Sequence, residues 1–164
     1  MGADIHMYAE YKPRGYGQWL TFGGRINPGR SYRLFARLAN VRGGGAMFPV
    51  RGMPADAAYE ALWDDRFYIS TEPSESYVAP EVAEQWVHDG VSSYAPKADG
   101  TPGWVTNPDW HSHSWLTASE LAEVYESFTD EDPIPVEYYA LLAALRELET
   151  RADAEARVVF WFDN

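Results

Sequence analysis

Asp109-Trp110-His111-Ser112-His113-Ser114-Trp115-Leu116-Thr117 holds two of the chain's four histidines, one residue apart and flanked by tryptophans. In an extended segment His111 and His113 project from one face, because strand side chains alternate with a period of two. Thr117-Ala118-Ser119-Glu120 then has the form of a capping box, which predicts a helix start. Two imidazoles just ahead of a helix N-terminus can bind a metal or move a proton; the alternative is a pair of loop residues hydrogen-bonded to backbone.

The first segment offers partners. Ala3 to Tyr11 reads as a strand whose apolar face is Ala3, Ile5, Met7 and Ala9. Its other face carries Asp4, His6, Tyr8 and Glu10, an unusual set for a merely solvated surface. His111 and His113 with His6 and a carboxylate from Asp4, Asp109 or Asp163 would make a divalent metal site for Zn, Mn or Mg. Such a site activates water, including for attack on a phosphodiester. Without metal, His6, His111 or His113 would act as acid and base, with Tyr8 assisting. The spacings match no zincin, serine triad or zinc deaminase. Alanine at either His111 or His113 should then abolish activity with little loss of stability.

Charge indicates what a ligand would carry. Residues 1–53 contain eight basic residues against two acids, +6, leaving −18 for the rest of a chain at −12. That exterior repels duplex nucleic acid but is compatible with a local arginine pocket for a small anion. Arg30, Arg33, Arg42 and Arg51 are the candidate ligand arginines, since guanidinium groups bind phosphate bidentately. Pairing with the acidic remainder is the alternative. Trp110 and Trp115 are candidate stacking surfaces.

Ser31 is a good N-cap for a helix through about Ala39, with Arg33 and Arg37 one turn apart. Gly43-Gly44-Gly45 follows, allowing close backbone approach but matching no phosphate-loop fingerprint. Pro54 is expected to start a short helix, and Pro80 a longer one stopped by Gly90. Lys97 to Pro108 reads as a loop. Helices are expected from Thr117 to about Phe128 and from Pro135 through Leu148, on either side of an acidic break, Asp130-Glu131-Asp132-Pro133. The ending, Arg157 to Asn164, is a strongly apolar strand. This order predicts a single α+β domain over 1–164: a small sheet with adjacent N- and C-terminal strands, packed with about four helices.

With no cysteine, disulfides and thiolate metal sites are excluded. No apolar run is long enough for a membrane span, and no signal peptide is read at the start, so a cytoplasmic location is expected. Gly2 fails as a myristoylation site because the sixth position is His6.

Several segments together resemble a family of small uncharacterised proteins from tailed bacteriophages. They are Asp4-Ile5-His6 with Tyr8 and Glu10; Arg30-x-Tyr32-x-Leu34-Phe35-Ala36-x-Leu38-Ala39-x-Val41-Arg42; Arg51-Gly52-Met53-Pro54; His111 to Thr117; and Val159 to Asn164. Met53, where that pattern has leucine, and a longer stretch from Asp64 to Pro108 depart from it. The resemblance implies a phage accessory protein in the infected host's cytoplasm, acting on host physiology or defence. The expected function is binding and hydrolysis of a small nucleotide, cyclic immune signals included. The alternatives are sequestration without turnover, or inhibition of a host protein through the acidic surface. Oligomeric state is left open.

Overall fold

A computed structural model describes residues 2–72, 74–97, 99–129 and 131–163. Met1, Pro73, Ala98, Asp130 of the expected acidic break and Asn164 of the final strand motif lie outside the described residues. The fold is α+β, with strands and helices in the order β1 (Ile5–Pro13), β2 (Leu20–Thr21), α1 (Tyr32–Ala39), α2 (Tyr59–Asp64), β3 (Arg66–Ile69), β4 (Tyr77–Val78), α3 (Pro80–His88), β5 (Tyr94–Pro96), β6 (Pro102–Thr106), β7 (His111–Thr117), α4 (Ala118–Glu126), α5 (Val136–Arg151) and β8 (Ala154–Phe162). Contacts divide the chain into two compact units, one formed by residues 1–61 and 111–164, the other by residues 62–110.

The first unit is built on a four-stranded sheet, β2-β1-β8-β7. The terminal strands are neighbours, as the order of elements predicts. β1 and β8 pair antiparallel from Ile5 opposite Phe162 to Pro13 opposite Ala154. One face of the sheet (Ile5, Met7, Ala9, Ala156, Val158, Phe160, Phe162) packs into the main core with Leu34, Phe35, Leu121, Val124, Tyr138 and Leu145 from α1, α4 and α5. Ser31 caps α1, accepting from Leu34 N–H at 3.4 Å. The capping box at α4 is complete: Thr117 Oγ1 accepts from Glu120 N–H and the Glu120 carboxylate accepts from Thr117 N–H.

The second unit has its own four-stranded sheet, β4-β3-β6-β5. Val78 and Val105 pack with Ala83 of α3, joined by Phe67, Ile69, Trp86 and Val87. Pro80 is the first residue of α3, and Gly90 lies beyond its end at φ 72°.

Two expectations about elements are corrected. Pro54 lies in a loop, and the helix begins at Tyr59, five residues later. β6 occupies part of the span read as a loop, Lys97 to Pro108, because Trp104 and Val105 find partners across β3 and β5 that no local pattern specifies. None of the described helices is long and apolar enough to cross a membrane.

Candidate functional site

Three of the four candidate catalytic residues meet around one indole. Opposite the helix-covered side of the first unit's sheet, Trp161 stacks with Tyr8 (centroids 5.8 Å apart) and His113 (5.7 Å), and lies 6.1 Å from the tilted His6 ring. The convergence of β1, β7 and β8 is therefore real. It forms around a buried indole: Trp161 is fully buried, and His6 and Tyr8 are each 6% exposed. Packing, more than ligand access, is what this cluster supplies.

His111 and His113 do not share a face. His111 pairs with Phe162 and Ser114 with Phe160, so Ser112 and His113 together oppose the single residue Trp161. This is a β-bulge, and Ser112 takes the extra turn at φ 55°. The inserted residue breaks the period of two. His111 stacks on Phe162 at 6.2 Å, on the core side of the sheet, whereas His113 stacks on Trp161. His111 Nδ1 lies 2.9 Å from Ser112 Oγ.

At the sheet end, Asp4, His6, Asp163 and Arg30 form a closed set. His6 Nε2 is 2.9 Å from Asp163 Oδ2, and the other Asp163 oxygen accepts from Asp4 N–H at 2.8 Å. Arg30 makes a fork onto Asp4, its Nη2 donating to Oδ2 at 2.8 Å and its Nε to Oδ1. Of the carboxylates expected as metal ligands, Asp163 thus ties the start of β1 to the end of β8, and Asp4 is taken up by Arg30. No group of three or more His, Asp or Glu side chains among the described residues is arranged to hold a metal ion.

The candidate ligand arginines separate. Arg30 is held by Asp4. Arg51 donates to Glu120 and to Trp115 carbonyl, and its guanidinium lies 4.5 Å from the Trp115 ring centre, which fixes Trp115 as well. Trp110 ends the second unit, its N–H donating to Asn107 carbonyl at 3.3 Å.

Arg33 and Arg42 remain together. They line a cavity of about 440 Å³ with Arg37, Tyr32, Gly43 and Gly44. Phe128 and Asp132 close the other side, and Arg33 pairs with Asp132. Arg42 lies 5.6 Å from the Tyr32 ring centre. The guanidinium of Arg37 makes no hydrogen bond or ion pair with any described residue. Asn40 ends α1 in the left-handed conformation, and Arg42 to Gly45 also have positive φ. At Gly44, φ is 106° and a Cβ would meet the Ala36 Cβ at 3.3 Å, so this turn requires glycine on two counts. Among the described residues, three arginines stand against one lining carboxylate in a chain of −12.

No family model, curated protein or solved structure matches the chain.

The site residues expected from sequence do not include Arg37 or the pair of Glu10 with Arg157. Arg37 had a signal in its i,i+4 spacing from Arg33. Glu10 and Arg157 are buried on the Trp161 face, where Arg157 Nε donates to Glu10 Oε2 at 2.7 Å. Glu10 Oε1 also accepts from Ala58 N–H at 2.7 Å. Arg157 Nη2 donates to Asp56 Oδ1 at 3.0 Å, and its guanidinium sits 3.8 Å from the Trp19 ring centre.

Acid should destabilise the fold. Arg30 holds Asp4 below the usual carboxylate range, and Arg51 does the same to Glu120. Asp56 is opposed by desolvation, yet the bonds from Arg157 and Trp19 together also hold it low. These three give stability that is present above about pH 4 and is lost as pH falls through their lower folded values. Glu10 has the opposite sign: burial raises it against its bonds from Ala58 and Arg157, so its charged form costs stability as pH rises through the folded value. Asp89 and Asp99 are also held low by side-chain hydrogen bonds, and Glu149 is raised by desolvation. With five lowered carboxylates against two raised ones, the melting temperature should fall from pH 6 to pH 3, and Arg51→Gln should flatten the fall. A higher melting temperature at pH 3 would contradict these assignments.

His113→Ala should now be a stability variant, in contrast to the expectation from spacing. Loss of the stack on Trp161 is expected to cost about 0.5–1.5 kcal/mol, or roughly 1–6 °C for a chain of this size. An unchanged melting temperature would restore a purely functional reading of this histidine.

Proposed function

We propose that the protein binds a small nucleotide, cyclic or linear, in the arginine cavity beside α1 and holds it intact. The supporting observation is the convergence of Arg33, Arg37 and Arg42 on a turn that admits only glycine at Gly44. Guanidinium groups bind phosphate oxygens in forked, charge-assisted pairs, and the turn lets a ligand approach the backbone closely. Tyr32, 43% exposed, and Phe128 offer aromatic surface for a base. The volume falls within the ordinary range for small-ligand pockets, about 300–1,000 Å³. None of the four histidines lines the cavity, and Asp132, its lining carboxylate, is engaged with Arg33. That favours sequestration over the hydrolysis expected from the histidine spacing. In the setting implied by the phage resemblance, the ligand would be a host nucleotide signal removed from circulation.

Equilibrium dialysis against a panel of cyclic and linear nucleotides, followed by denaturation and chromatography of the released ligand, tests this reading. Recovery of an intact nucleotide is the expected result. Release of a cleaved product would replace sequestration by catalysis, and no retention of any nucleotide would remove the reading.

A further inference from the structure

A second cavity of the first unit, about 670 Å³, has apolar walls that include Trp19, Pro54 and Trp115. Most charges on its wall are matched. Arg157 lies between Glu10 and Asp56, and Lys12 Nζ is 3.6 Å from Glu155. Glu149 of α5 is left over: it lines the cavity without a hydrogen bond or ion pair to any described residue. Desolvation raises its pKa against the opposing, non-bonded charge of Arg146, as expected of a carboxylate at a partly apolar wall.

We propose that this cavity binds a small organic amine, its ammonium on the Glu149 carboxylate and its apolar body against Trp115 and Pro54. A net negative lining, with Glu149 outside every ion pair among the described residues, beside apolar walls suits a monovalent cation carrying apolar surface. A polyanion or a simple sugar would leave either the charge or the walls unmatched. The site is separate from the arginine cavity in lining and in sign of charge, so neither reading depends on the other.

The test uses the full chain labelled with ¹⁵N, titrated with 2-phenylethylammonium and, separately, with the neutral 2-phenylethanol. The amine should shift the indole N–H signals of Trp19 and Trp115 and bind at least about ten-fold more tightly than the alcohol, as expected when a partly desolvated charge pair forms. Glu149→Gln should remove that preference while leaving the other amide signals in place. Glu149→Ala serves as the second variant should the glutamine protein fold poorly. Equal binding of amine and alcohol, undiminished amine binding by a folded Glu149 variant, or no shift of either indole signal would each overturn the proposal.

Discussion

Arg157→Met is expected to lower stability by about 3–5 kcal/mol, because it leaves the Glu10 carboxylate buried without its cation. Glu10 is fully buried and Arg157 is 4% exposed, so Glu10 Oε2 loses its donor at a site shielded from water. For a chain of this length the loss corresponds to roughly 6–20 °C in melting temperature. Glu10→Gln should cost distinctly less. A neutral amide oxygen can still accept from Ala58 N–H, and Arg157 keeps Asp56 and the Trp19 stack. The asymmetry separates an uncompensated charge from a mere loss of packing volume, which would not distinguish the two variants in this way. A loss below about 1 kcal/mol for Arg157→Met would mean that Glu10 accepts a proton on losing its partner, a response its raised pKa makes measurable by repeating the melt at acid pH.

The second large effect concerns the arginine cavity. Arg37→Ala and Arg42→Ala should each weaken nucleotide binding by about ten-fold to a hundred-fold, since a hydrogen bond to a charged group contributes about 1.5–3 kcal/mol. Arg37 is the cleaner variant, because its guanidinium bonds to no described residue and its removal leaves no internal partner stranded. Arg42 also lies near the face of Tyr32, so its replacement can alter the ring's position as well as the charge. The Arg37→Ala variant should melt close to the parent protein, and added salt should weaken the parent's binding because the cavity is open to solvent. Affinity unchanged in both variants would place any nucleotide elsewhere on the molecule.

The legible parts of this fold are those set by local pattern. The Ser31 cap, the Thr117–Glu120 capping box, Pro80 at the start of α3 and the two apolar terminal strands all involve residues within a few positions of one another, and all are found. The mixed face of β1 stands out in the sequence as well. Its meaning was not legible, because the Glu10 partner lies 147 residues away and Asp163 lies 157 residues from His6. The bulge is the sharpest case. Strict alternation predicts one face for His111 and His113, and a serine gives no advance sign of the positive φ that separates them. The short strands of the second unit were equally hidden, since β4 has two residues and β5 three, too few to show a period.

Titration calorimetry of the parent protein and of the Arg37→Ala, Arg42→Ala double variant, using the nucleotide best retained in dialysis, tests the central claim most directly. The account predicts one saturable site in the parent and loss of at least about a hundred-fold in affinity in a double variant that still folds, as two charged hydrogen-bond donors are removed. Equal heats and affinities in the two proteins would contradict it.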